Sequence, residues 1–341
     1  MPAIGTCGVQ RVAVVPSNWQ DDISRPFSLE RFQAALDMLD TFFRDISYGR
    51  MTIEKTVFDY RTLPINKPAT SAEWKTMTPV FPVLANTWAD LDNFNRYNRR
   101  ITFLVGYPWT FGGGNANTGV VTSGNMPDPA LGVRNYGILF HEFGHALGLG
   151  HSNSLRMRDP ATGQPILAPI TTDQSQWLDS EYGGSYDMMG GSGRARFFCN
   201  PDQTEQMGWL KPLLVTQPGV YRLVPIELSS GLRALRVTLA GGPNGWHRYY
   251  LHMRARISWD GGLFESEPVL SGVKVEFEWT EDRKSHGLDM TQTGDTFSFV
   301  TPCLEVGQTF TDPWGAARFT LLERTADHAL LKIGLDPAKV V

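Results

Sequence analysis

At 341 residues, with 41% hydrophobic and 19% charged side chains, the chain is long enough for two domains and has the balance of an ordinary globular protein. A net charge of −4, with no run of one sign, argues against nucleic acid or an anionic membrane as the main partner. No apolar stretch approaches the ~18 residues of a membrane span, and three cysteines (Cys7, Cys199, Cys303) allow at most one bridge within the chain.

The first half alternates strand-like and helix-like patterns. Arg11 to Val15 ("RVAVV") reads as a short buried strand. Ser28 is a plausible N-cap for a helix over Leu29 to Tyr48, in which Phe32, Leu36, Leu39, Phe43 and Ile46 recur at helical spacing and Gly49 follows as a stop. "MTIEKTVFDYRTLP" is expected to be a strand ending in a turn at Pro64. Trp88, Leu91 and Phe94 mark a second helix, and Ile101 to Tyr107 a second buried strand. Glycine, asparagine and proline from Gly112 to Pro129 predict a loop with one short edge strand. "NYGILFHEFGHALGLG" is then helical, while 152–193 looks irregular and polar. Asn200 as N-cap with Pro201 at the first helical position begins another helix, bounded by Gly208 and Pro212. Beyond Pro212 the pattern becomes β. Val273, Val275, Phe277 and Trp279 alternate with Lys274, Glu276, Glu278 and Thr280, and Leu235, Val237 and Leu239 alternate with Arg236 and Thr238, which suggests a sandwich-like fold.

The chemistry is concentrated in "HEFGHALGLGH", residues 141–151, which holds three of the seven histidines. His141 and His145, four apart on a helix, share one face about 6 Å apart along the axis, so their imidazoles can meet one ion. Zinc takes nitrogen ligands in a tetrahedral shell and keeps one position open in catalytic sites. A continuing helix would carry residue 151 away from that ion. Gly148 stands where the chain must turn, and glycine takes a left-handed conformation at low cost, so His151 can return as the third ligand. Glu142, between the two helical ligands, is placed to act on a metal-activated water as general base.

These residues match every fixed position of the long motif H-E-x-x-H-x-x-G-x-x-H, and the chain resembles the metzincin clan of zinc endopeptidases there. That resemblance implies a Met-turn beneath the metal, for which "EYGGSYDMMGG" (181–191) supplies Met189, with Met188 as the alternative. "EYGGSYDMMG" followed by "FFCNPDQTEQMGWL" is similar to the gametolysin and immune inhibitor A peptidases. The likeness covers roughly residues 10 to 212. The family's acidic residue after E-Y-G is Gly184 here, and the tyrosine that follows the Met-turn in astacin-like members is Gly191. Tyr186 is a further candidate as a transition-state hydrogen-bond donor. The resemblance also implies that "NTGVV" (117–121) forms an edge strand along which a peptide could add.

The fold so implied is an α+β zincin-like (metzincin) catalytic domain, with a mixed twisted sheet and an active-site helix, over 1–212. Its upper subdomain would span residues 1–150 and its lower subdomain residues 151–212. A C-terminal all-β sandwich-like domain over 213–341 would follow, a candidate for substrate or matrix binding. The function implied is a zinc endopeptidase acting on protein or peptide substrates, extracellular or cell-wall glycoproteins among them, as a secreted monomer. The alternative is an inactive, zinc-stabilised adhesion module, against which the intact Glu142 speaks. The N-terminus shows no signal-like pattern, so either a cytosolic chain or one trimmed of its leader is expected. Calcium in the Asp- and Asn-containing loops stays open. "CGV" (7–9) resembles a cysteine switch but lacks its flanking residues, and His247, His252, His286 and His328 read as core or surface histidines.

Overall fold

A computed structural model of the chain describes residues 5–77, 96–106, 112–115, 120–123, 136–166, 170–191, 197–279, 284–290 and 303–341. It is a mixed α+β protein, mostly sheet with few helices, and it divides into two compact units, Met1–Leu149 and Gly150–Val341. The expected helix around Trp88, Leu91 and Phe94 lies outside the described residues. No helix among the described residues is long and apolar enough to cross a membrane.

The first unit is built on a six-stranded sheet: β1 (Gly8–Trp19), β2 (Met51–Val57), β3 (Arg61–Leu63), β4 (Arg99–Leu104), β5 (Gly112–Asn115) and β6 (Val120–Ser123). β1 runs parallel to β2, β3 and β4, and β4 parallel to β6, whereas β5 is antiparallel to β6 and ends the sheet. A strand buried on both faces must be apolar throughout, and Val12, Ala13, Val14 and Val15 meet that demand with almost no exposure. The expected edge strand is displaced by one. Val120 and Val121 open β6, which lies between β4 and β5, so the glycine-rich β5 is the outermost strand. Glycine's weak strand propensity hides β5 from a sequence pattern, and residues 117–119 lie outside the described residues.

Helix α1 (Leu29–Ile46) begins where Ser28 accepts the Arg31 amide, and it ends where Gly49, at φ 77°, returns its amide to Arg44. A short helix, α2 (Ser71–Met77), follows, and then α3 (Gly137–Leu147). Phe42 stacks on Phe140 at 4.0 Å between ring centroids, and Phe43 meets Phe143 at 5.0 Å. Each such buried ring contributes about 1.5–3 kcal/mol relative to exposure. At about 100° per residue, the Phe140–Phe143 face lies roughly opposite His141 and His145. The aromatic contact with α1 therefore fixes which side of α3 presents histidine. α3 also packs along β5 and β6.

In the second unit, β7 (Ser152–Arg158), β8 (Pro165–Ile166), β9 (Trp177–Ser180), β10 (Leu213–Leu214), β12 (Ala234–Ala240), β13 (Trp246–His252), β14 (Lys274–Glu278) and β15 (Ser285–Leu288) form one eight-stranded sheet. β11 (Gly219–Leu223), β16 (Thr309–Thr311), β17 (Ala317–Arg324) and β18 (Ala329–Leu335) form a four-stranded antiparallel one. One apolar core joins the two sheets, with Leu155, Val237, Leu251 and Phe277 from the first and Leu223, Phe319, Leu331 and Ile333 from the second.

Two patterns differ from expectation. Residues 152–158 are a strand rather than an irregular segment, paired in parallel with β15, and β9 returns antiparallel to it. Ser152, Asn153 and Ser154 are buried polar residues, so no hydrophobic alternation announces the strand. In β14 the polar set Lys274, Glu276 and Glu278 is buried along with Val275 and Phe277. The alternation there separates an apolar layer from a polar one, both inside the protein. The helix expected from Asn200 is α4 (Pro201–Gln206), with Pro201 at its first turn.

Candidate metal centre

Helix α3 brings His141 and His145 onto one face, with ring centroids 4.7 Å apart. It stops at Gly148, whose φ of 103° lies in the left-handed region. There the amides of Gly148 and Leu149 turn back to the carbonyls of His145 and Gly144, at 2.9 and 3.0 Å. This pair of bonds is the Schellman arrangement, which needs a residue that tolerates positive φ. A β-carbon at that φ would add about 1–2 kcal/mol of strain. After the turn the chain enters β7, and His151 is its last residue before the strand.

Across this continuous stretch, one ligand atom from each of His141, His145 and His151 lies within 4.8 Å of the others. It is the only group of metal-ligating side chains with that spacing among the described residues. His145 Nδ1 is 2.9 Å from the Leu149 carbonyl, which can only accept, so Nδ1 carries the proton and Nε2 is left to ligate. His151 Nδ1 is 2.7 Å from Glu181 Oε1. Three imidazoles, two of them with Nδ1 committed elsewhere, fit the nitrogen donor set of zinc. Glu142, half-buried on α3 beside His141, is not one of the clustered ligand side chains.

No protein-family model matches this chain, and no curated protein does.

The segment 180–191 is folded tightly against the start of β7. Ser152 donates its amide to the Met189 carbonyl at 2.8 Å, and Gly184 donates to the Ser152 carbonyl at 3.0 Å. Met189 and Met188 are both fully buried. A β-carbon at Gly184 would stand 2.0 Å from Ser152 Oγ, and one at Gly190 would stand 1.9 Å from the Gly184 carbonyl. Gly184 is thus a close approach of two backbones, which leaves no room for the acidic side chain of the resembling families. Gly191 carries no tyrosine, and Tyr186 is buried with its hydroxyl donating to Glu267 at 2.5 Å.

Asp187 anchors this turn. Its carboxylate accepts the Met189 amide at 2.6 Å and the Asn200 amide at 2.5 Å. Burial pushes Asp187 up from the ordinary 3.8 to about 6, although Arg254 and the two amides favour the anion. Asn200 reaches Ser152 Oγ and Ser285 Oγ with its amide nitrogen, and its oxygen accepts from Arg254. Arg254 is paired with Asp260 at 2.9 Å, both side chains fully buried. Burial, then the nearby Glu276, Glu278 and Asp187, holds Asp202 well above the usual carboxylate range. Burial and Asp260 do the same to Glu227. The sequence shows these residues only as scattered polar positions. In space they form one buried ionic layer behind the turn.

The remaining histidines lie elsewhere. His247 is buried against Asp312 at 3.0 Å, His252 is buried near Arg254 and Lys274, His286 faces Asp179 at 3.6 Å, and His328 faces Glu323 at 3.2 Å. All three cysteines are free thiols. Among the described residues, no group of three acidic side chains comes together with the spacing of the histidines.

Proposed function

We propose that the chain is a zinc-dependent endopeptidase of the metzincin kind, similar to the gametolysin and immune inhibitor A peptidases, acting on extracellular protein substrates. The observation that carries this reading is the close approach of His141, His145 and His151, with Glu142 adjacent on the helix. His141, His145 and His151 would hold the ion, which in such a site acts as a Lewis acid on water and on the scissile carbonyl. Glu142 takes the proton of the attacking water and then delivers it to the leaving amine, a role that suits a half-buried carboxylate one residue from a ligand. Met189 supports the centre through its carbonyl, which holds the residue following His151. The outer strand β5, against which α3 packs, offers main-chain groups to an extended peptide, so substrate would add beside the helix that carries Glu142.

A digest of casein or gelatin tests the proposal. Cleavage that is abolished by 1,10-phenanthroline and restored by added Zn2+ supports it. Bound zinc with no cleavage of any protein substrate would instead indicate a zinc-stabilised adhesion module.

A further inference from the structure

The tripeptide Glu181–Tyr182–Gly183 contributes to the family likeness, yet the proposed reaction gives it no task. The structure folds it against His151. Glu181 Oε1 lies 2.7 Å from His151 Nδ1. A carboxylate oxygen accepts, so the proton sits on Nδ1 and Nε2 keeps its lone pair. The Tyr182 ring covers the imidazole, with centroids 3.9 Å apart and planes inclined by 40°.

Tyr182 reaches that position at φ 63°, a left-handed conformation that is rare for an aromatic residue. Its neighbours hold it there. The Tyr182 amide donates to Asn153 Oδ1 at 3.3 Å, and Asn153 is itself fastened to both carboxylate oxygens of Asp179 at 2.9 and 3.2 Å. The Gly183 amide donates to the Ser180 carbonyl at 3.0 Å. A β-carbon at Gly183 would stand 2.1 Å from Ser154 Oγ, so the backbone can approach β7 only without a side chain at that position. Backbone strain of this kind persists where surrounding contacts over-determine it, commonly beside functional groups.

We propose that Glu181 and Tyr182 are positioning residues for the third metal ligand: the carboxylate sets the tautomer of His151 so that Nε2 ligates, and the phenol ring fixes the rotation of the imidazole. Resting on the zinc reading above, the assignment extends the centre to a carboxylate 30 residues downstream. It also separates the ligands. His145 is oriented by a carbonyl four residues away at its own helix end, whereas His151 depends on a tertiary contact. A carboxylate acceptor also makes the ligating nitrogen more basic than a carbonyl does. Glu181 is 61% exposed, so it fills no core, and a surface pair of this kind adds little to folding. Ligand positioning and stability can therefore be measured apart.

The test uses the full chain, stripped of metal and titrated with Zn2+ against a chromophoric chelator, with the Co2+ absorption spectrum as a second readout. Glu181→Gln and Glu181→Ala are each expected to weaken Zn2+ binding by about 10- to 100-fold, with Glu181→Ala the weaker binder. Both should leave the melting temperature of the metal-free chain unchanged. Tyr182→Phe should bind as the parent does. Tyr182→Gly, which relieves the strained φ, should raise the metal-free melting temperature while weakening Zn2+ binding and altering the Co2+ spectrum. Parental Zn2+ affinity in Glu181→Ala would overturn the assignment. A parent chain that takes up no Zn2+ would overturn the zinc reading itself, and the assignment with it.

Discussion

In α3 the placement of His141 and His145 follows from helix periodicity, and Phe140 and Phe143 turn that face by packing on α1. The 180–191 segment is different: Glu181 and Tyr182 hold His151 itself and the Met189 carbonyl holds the next residue, Ser152, backed by Asp187, Asn200 and Arg254. Local geometry thus places two of the proposed ligands and the proposed base, and long-range contacts place the proposed third ligand. Damage to the helical half should act on chemistry, and damage to the turn should act through folding and metal affinity.

The largest effect is expected in the helical half. Glu142→Gln should lower proteolysis by about 10²–10⁴-fold with Zn2+ uptake retained, and proteolysis at the parental rate would remove the assigned base. In the turn half, Arg254→Ala leaves Asp260 buried without its partner. Urea denaturation should show a loss of about 3–5 kcal/mol; a loss below about 1 kcal/mol would mean that the ionic layer does not support the turn.

Asp187 gives the same half a pH signature. Its pKa in the folded chain, about 6, lies above the ordinary 3.8, so its contribution to stability is full below about 4 and is lost as pH rises through 6. At about 1.4 kcal/mol per unit, the stability of Asp187→Asn relative to the parent should improve by about 3 kcal/mol between pH 4 and 7. A difference that stays flat with pH would show that burial does not govern this group. Gly184→Ala should cost about 1–3 kcal/mol and weaken Zn2+ binding, because Ser152, which the new methyl group would strike, follows His151. The smallest effect belongs to Ser28→Ala, which removes the cap of α1 and should cost about 1 kcal/mol with no change in metal affinity. A fall in affinity there would blur the distinction between the two halves.

How far the sequence can be read follows the same division. α1 is legible because Ser28, the apolar stripe and Gly49 are local signals, and α3 is legible for the same reason. Gly148 can be recognised because a helix cannot deliver His151 without a turn. β7 is not legible, since Ser152, Asn153 and Ser154 are buried although polar, and no hydrophobic alternation marks the strand. Its parallel partner, β15, is 133 residues away (Ser285 against Ser152). β14 can be identified as a strand, yet the burial of its polar side is hidden, because alternation does not reveal that Asn200 and Ser285 come to meet Lys274 and Glu276. The contact of Glu181 with His151 has only the E-Y-G resemblance as a signal, and the φ of Tyr182 has none.

The central claim is that three histidines from one eleven-residue stretch hold a single zinc ion. Metal analysis of the purified chain beside His141→Ala, His145→Ala and His151→Ala tests it most directly. The account predicts one tightly bound Zn2+ per chain in the parent and its loss from each variant, His151→Ala included. Zinc retained at full stoichiometry and affinity in any one of the three would contradict it.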